Sequence, residues 1–207
     1  MFFVGLDLGQ KQDFSAVAVV EREEHRLAFL SPALHSMRVR HLERMPLGTP
    51  YVNVVSRVSE IMQHPALTPR SCLVVDATGV GAPVVEMLRA ARPPCRVTAV
   101  TITAGEKAHG RGEEWHVPKK DLMAGLQVLL EDGRLKIHRN LRESATLVRE
   151  LTDVRLNPGA GGHLGGHVRM GADGYGEHDD LALAVALACW RASRMEIGIG
   201  YGTQRLI

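Results

Sequence analysis

The chain alternates short apolar runs with amphipathic segments. Phe2–Asp7 is almost wholly apolar until it ends in a carboxylate, the pattern of a central strand. Phe14–Glu21, with Ala and Val in alternation, predicts a second strand. The short polar link Gly9–Asp13 joins the two as a hairpin. Arg26–Ser36 predicts a third strand. Across Pro50–Gln63, the positions Val52, Val55, Val58, Ile61 and Met62 recur at helical spacing. Cys72–Val75 predicts a buried strand. Asp76–Gly81 then turns into a helix over Pro83–Ala91, with Thr78 as its N-cap and Pro83 in its first turn. Arg96–Ile102 predicts a further strand.

Thr103–His116 is polar and Gly-bearing and predicts a mobile loop. Pro118 opens a helix that passes through Leu122, Leu126 and Leu129–Leu130 and stops at Asp132-Gly133. Leu135–Ile137 is a short extended piece. Leu141–Leu151 predicts a helix with Leu147, Val148 and Leu151 turned inward. Asn157–Gly176 is too rich in glycine for a helix, and Leu164–Met170 within it predicts a hairpin arm. Asp179–Arg194 carries Ala and Leu on nearly all sides, so it predicts a buried helix. Strands alternating with helices imply an α/β fold whose mixed, partly parallel central sheet is covered on both faces. The expected organisation is one domain over residues 1–194 and a poorly ordered tail over 195–207.

Composition narrows the functional classes. A chain of 207 residues supports one sizeable core. Aromatic residues make up 4%, so stacking of bases on aromatic platforms is an unexpected binding mode. A net charge of +2 neither demands nor excludes nucleic acid. Arg134, Lys136, Arg139, Arg142, Arg149 and Arg155 share one stretch with Glu143, Glu150 and Asp153. That stretch is either a solvated helix face or a patch that follows phosphates. Cys72, Cys95 and Cys189 are widely spaced without a CxxC pair, which argues against a zinc site and fits a reducing compartment. Leu181–Trp190 is the longest apolar stretch and is too short to span a bilayer. The N-terminus has no basic segment of the secretory type. A cytoplasmic protein without membrane contact is expected.

The candidate chemistry lies in carboxylates that end apolar runs: Asp7 in Gly5-Leu6-Asp7-Leu8-Gly9, Asp76 in Val75-Asp76-Ala77-Thr78-Gly79, and the pair Asp179-Asp180 before Leu181-Ala182. Each has an ordinary explanation by itself. Asp7 and Asp76 can cap backbone amides at a turn, and acids are favoured at a helix N-terminus. Together they are costly, because inward carboxylates repel one another and neutralise by taking up protons. A divalent cation removes that penalty, and hard carboxylate oxygens suit Mg²⁺ or Mn²⁺. Glu177 lies three residues before Asp180 and shares its helical face. Lys119 or Lys120, at a helix start, could contact a phosphate, although two solvated lysines explain them as well. His167 and Arg169 lie in the Gly-rich arm. His178 is read as a solvent-facing residue.

These motifs resemble the ribonuclease H-like nuclease superfamily, and more closely the C-terminal nuclease domain of phage large terminases. The resemblance rests on Gly5-Leu6-Asp7 before a hairpin, on Val75-Asp76-Ala77-Thr78-Gly79-Val80-Gly81, on Lys119-Lys120-Asp121-Leu122, and on Glu177-His178-Asp179-Asp180-Leu181-Ala182. It implies a mixed central sheet flanked by helices, with an added Gly-rich hairpin near the active site. It also implies a metal-dependent endonuclease that cuts double-stranded DNA with two Mg²⁺ or Mn²⁺ ions during viral genome packaging. Asp7, Asp76 and one of Asp179 or Asp180 would hold the ions, with Asp7 bridging and Asp180 favoured over Asp179. Lys11, Lys119, Lys120, His167 and Arg169 would touch DNA. A packaging ATPase, small terminase and portal protein would be partners, in the cytoplasm of a bacterial host. The chain departs from full terminases in lacking a GxxxxGK[ST] motif, so the resemblance implies no motor activity. Alternatives are a Holliday-junction-resolvase-like nuclease, an actin-like or sugar-kinase-type nucleotide-binding domain suggested by Gly5-Leu6-Asp7-Leu8-Gly9, and a non-catalytic DNA-binding remnant.

Overall fold

The computed structural model describes residues 1–9, 13–25, 34–68, 70–156 and 179–195. The strands are β1 (Phe2–Asp7), β2 (Ala16–His25), β3 (Leu34–Arg44), β4 (Ser71–Asp76), β5 (Arg96–Thr103), β6 (His109–Arg111), β7 (Glu114–Pro118) and β8 (Leu135–Ile137). The helices are α1 (Tyr51–Met62), α2 (Gly81–Ala90), α3 (Lys119–Glu131), α4 (Ser144–Leu156) and α5 (Asp180–Arg194). The strands form one mixed sheet in the order β6-β7-β5-β4-β1-β2-β3-β8. β1 runs antiparallel to β2 and parallel to β4, and β4, β5 and β7 are mutually parallel along the sheet.

The two-residue period of the strands divides the core. Val4 and Leu6 of β1, with Leu73 and Val75 of β4, face α1 and α2 through Val54, Val58, Val84 and Leu88. Phe3 of β1 and Cys72 and Val74 of β4 face the other side, where α5 lies under α3 and α4. Helix α5 is buried at nearly every position from Asp180 to Ala192, which explains a sequence apolar all round. Asp7 and Asp76 share parity with Phe3 and Val74, so both belong to the α5 face.

Several expectations from the sequence are corrected. Among the described residues the third strand is Leu34–Arg44, which meets the expected Arg26–Ser36 only over residues 34–36 and runs on past it; residues 26–33 lie outside the described residues. Its outer face carries Arg38 and Arg40, which pair with Glu23 and Glu21 of β2, and this charged face hides the alternation of Met37 and Val39 beneath it. The segment expected as a mobile loop over Thr103–His116 contains the β6–β7 hairpin, whose exposed edge carries little apolar signal. Val148 is half exposed, whereas Leu147 and Leu151 are buried. Helix α2 is capped at Val80 without a side-chain bond, so Thr78 is not its N-cap. The end of α3 at Asp132-Gly133 agrees with expectation: Gly133 takes φ 63°, a conformation that suits glycine. The Leu164–Met170 arm and the tail after Met195 lie outside the described residues.

Candidate active site

Strand register sets the first pair of acids. Leu6 lies opposite Val75 in the parallel β1–β4 ladder, so Asp7 and Asp76 leave adjacent strands at the same level. Adjacent strands are separated by about 4.8 Å. Helix α5 brings the second pair. It lies on β1 so closely that a Cβ added at Gly5 would stand 1.9 Å from the Ala184 carbonyl oxygen. Ala184 is one turn beyond Asp180, and Gly5 is one same-face position before Asp7. The close approach therefore sets the start of α5, with Asp179 and Asp180, over the end of β1.

The electrostatics report this convergence. Asp7 is buried, and its carboxyl is raised well above the usual carboxylate range, first by burial and then by the charges of Asp76, Asp180 and Asp179, with Lys119 opposing. Asp76 is half-buried and also raised by burial, against two hydrogen bonds from Thr78 and the charge of Lys119. The Thr78 N–H donates to Asp76 Oδ1 at 2.8 Å, and the Thr78 hydroxyl donates to the same oxygen at 2.5 Å. The Ile102 N–H in turn donates to the Thr78 hydroxyl at 2.8 Å. Thr78 thus ties the Asp76 carboxylate to β5, a role that its place in the turn did not disclose.

Two cations face the helix-borne acids. Lys119, the first residue of α3, places Nζ 2.7 Å from Asp179 Oδ2. Arg44, the last residue of β3, stands 3.6 Å from Asp180 Oδ2 and pairs with Glu150 of α4. Arg44 also lies over the Phe14 ring at 4.6 Å. Glu150 is buried, and its second oxygen accepts the Ala182 N–H at 2.8 Å. The sequence presented Glu150 as one charge in a mixed run. Only the fold, which joins residues 106 positions apart, separates it from a solvated face.

The structure brings Asp7, Asp76, Asp179, Asp180 and Lys119 to one end of the sheet. Lys120 instead pairs with the exposed Glu106 at 2.7 Å, in the loop before β6. Lys11, His167, Arg169, Glu177 and His178 lie outside the described residues. Among the described residues, no three His, Cys, Asp or Glu side chains stand in ligand geometry about one point. The donor set nevertheless fits a hard divalent cation. It consists of carboxylate oxygens, and Asp7, buried among them, carries the repulsion of three others. Among the described residues, no helix is long and apolar enough to cross a membrane.

The chain is similar to two solved nuclease domains. With the large terminase nuclease from thermophilic phage G20c, determined with bound zinc, it shares 20% identity at a TM-score of 0.51, over 95% of this chain and 82% of that one. With the human cytomegalovirus terminase nuclease domain, Mn soaked and inhibitor bound, it shares 15% identity at a TM-score of 0.51, over 92% of this chain and 82% of that one. No protein-family model and no curated protein matches the chain. The likeness establishes the architecture, which is the ribonuclease H-like fold.

Proposed function

We propose that, on this ribonuclease H-like frame, the chain is a metal-dependent endonuclease acting on double-stranded DNA, as in viral genome packaging. The observation that carries the reading is the crowding of three carboxylates, Asp76, Asp179 and Asp180, around the buried Asp7, whose ionised form is costly without a cation among them. The same fold in a terminase nuclease with bound zinc, and in another soaked with Mn, supports it.

Asp7, Asp76 and one or both of Asp179 and Asp180 would hold two Mg²⁺ or Mn²⁺ ions. Bound there, the ions would polarise the scissile phosphodiester and supply a nucleophilic water at neutral pH. The chain's own groups do the rest. Asp7, central in the sheet and crowded by the other acids, would be among the residues that hold the ions. Thr78 fixes the orientation of the Asp76 carboxylate, so that its lone pairs need not reorganise on binding. Lys119 offsets part of the negative charge of the acid cluster, and it would meet a phosphate once a metal neutralised the acids. Lys11, Lys120, His167 and Arg169 are proposed contacts along the DNA backbone. A packaging ATPase, small terminase and portal are the proposed partners of such a nuclease.

The reading is tested on supercoiled plasmid. The chain should nick or linearise it with Mn²⁺ or Mg²⁺, EDTA should stop the reaction, and Asp76→Ala should abolish it. Cleavage that survives both EDTA and Asp76→Ala overturns the assignment.

A further inference from the structure

The arginines between β8 and α4 take no part in the acid cluster, and the structure divides them. Arg134, just before β8, is paired with Asp132 at 2.8 Å. Arg139 and Arg142 lie in the turn 138–143, between Ile137 and Ser144, and both are exposed. Among the described residues, neither side chain has an ion-pair or hydrogen-bond partner. The turn beneath them is tied down. The Leu141 N–H donates to the His138 carbonyl at 3.1 Å, and the Ser144 N–H to the Leu141 carbonyl at 3.0 Å. The Ser144 hydroxyl donates to the Arg139 carbonyl at 2.8 Å. Two uncommitted guanidinium groups therefore stand on a hydrogen-bonded turn, so a ligand there has only side chains to order.

Arg142 borders a hollow of about 180 Å³ at the end of β3, lined also by His41, Glu43, Arg44, Arg57 and Glu143. Glu43 is taken up by Arg57 at 2.8 Å and by His41 at 3.1 Å. Glu143 accepts the Thr146 hydroxyl at 3.1 Å and is the acid that faces Arg142. With Arg139 nearby, the turn keeps an excess of positive charge. Its position is fixed by register. Ala16 of β2 pairs with both Asp7 of β1 and Arg44 of β3, so the end of β3 stands level with Asp7, two strands away. At about 4.8 Å per strand that is about 10 Å, and the hollow beyond β3 adds roughly one more spacing. Each strand of duplex DNA carries a phosphate about every 3.4 Å along the axis. A backbone laid across this end of the sheet with one phosphate at Asp7 thus brings another to Arg142, about three to four nucleotides on.

We propose that the 138–143 turn is a second backbone site for duplex DNA. Arg142 at the hollow and Arg139 beside it hold phosphates about three to four nucleotides from the one cut at the acid cluster. The guanidinium fork matches phosphate oxygens in pairs, and contacts of this kind fix register without reading sequence. The inference rests on the nuclease reading given above and extends it, because the turn sets the direction in which the duplex crosses the molecule.

The experiment is fluorescence anisotropy with a labelled duplex, Ca²⁺ replacing Mn²⁺ so that the DNA stays intact, over a range of salt. Arg139→Gln with Arg142→Gln should make the slope of log affinity against log salt shallower by about 2, since each phosphate contact contributes about 0.9. Between about 50 and 200 mM salt that variant then loses about 12-fold less affinity than the native chain. The control is Arg92→Gln with Arg96→Gln, which removes the same charge from exposed positions at the opposite end of the sheet, where β5 begins. Its slope should match that of the native chain. Circular dichroism confirms that both variants fold. An unchanged slope in the Arg139/Arg142 variant overturns the proposal, as does an equal change in the control, which reports diffuse charge and no site. A native chain that does not bind the duplex overturns it as well. The Mn²⁺ cleavage assay separates the two readings. A native chain that cleaves while the Arg139/Arg142 variant keeps the native slope refutes this site alone. A native chain that shows the expected slopes but never cleaves refutes the nuclease reading and leaves the turn as a DNA site.

Discussion

Gly5 and Ala184 touch through their backbones: a methyl group on Gly5 would stand 1.9 Å from the Ala184 carbonyl oxygen and 3.1 Å from the Ala188 nitrogen. No side-chain rotation relieves such a contact, because the obstructing atoms are main chain. Helix α5 must lift away from β1 or the strand must bend. Gly5 is therefore the residue that lets an acid-bearing helix approach an acid-bearing strand.

Gly5→Ala should cost about 3 kcal/mol, at the upper end for overpacking a closed interior. It should also displace Asp180 from Asp7, so metal-dependent cleavage falls even at temperatures where the variant is folded. Chemical denaturation, together with cleavage assays well below the unfolding midpoint, checks both effects. A variant as stable and as active as the native chain contradicts the close packing.

Asp7→Asn separates stability from function. In the metal-free chain the Asp7 carboxyl is held above its ordinary range by burial and by three neighbouring acids, so ionising it works against the fold. The neutral amide should leave the metal-free protein at least as stable as the native chain. The native chain should gain thermal stability on addition of Mn²⁺, as any ligand that binds the folded state confers, whereas the Asn variant should gain little. Melting curves with and without Mn²⁺ measure both. A variant that is destabilised without metal, or that is stabilised by Mn²⁺ as strongly as the native chain, contradicts this role for Asp7.

Glu150 gives the pH dependence a sign. Burial raises its carboxyl from 4.5 to about 7, over the opposing Ala182 N–H hydrogen bond and the Arg44 charge, while Asp180 and Asp179 add to the rise. The folded chain thus keeps a proton that the unfolded chain releases between those values. Its stabilising contribution is complete below about 4.5 and is lost as pH rises to about 7. Glu150→Gln removes this slope. The melting temperature of the Gln variant relative to that of the metal-free native chain should therefore increase from about pH 5 to about pH 8. A constant or decreasing difference contradicts the raised carboxyl.

The part of this architecture that sequence disclosed is the part with strong periodicity. The apolar runs ending at Asp7 and Asp76 gave β1 and β4, and the Ala- and Leu-rich run after Asp179 gave α5. Parity along the strands then places both strand acids on the α5 face. Position in the fold was legible wherever burial on two sides left an unbroken apolar signal. It failed where one face was charged or no core was touched. The cross-strand pairs of Arg38 and Arg40 masked β3, and the exposed β6–β7 hairpin read as loop. Glu150 was hidden for a different reason. Its burial depends on Arg44 and Ala182, which no local pattern relates to it. Thr78 likewise looked like a helix cap because it stands in the turn before α2, whereas its partners are Asp76 and the β5 backbone.

The most direct measurement is anomalous diffraction from crystals soaked in Mn²⁺. The account predicts two peaks about 3.5–4 Å apart, within coordination distance of Asp7, Asp76 and the Asp179-Asp180 pair, with Lys119 displaced from Asp179. Crystals that show no manganese among these carboxylates at saturating concentration, or manganese bound only elsewhere on the molecule, would contradict it.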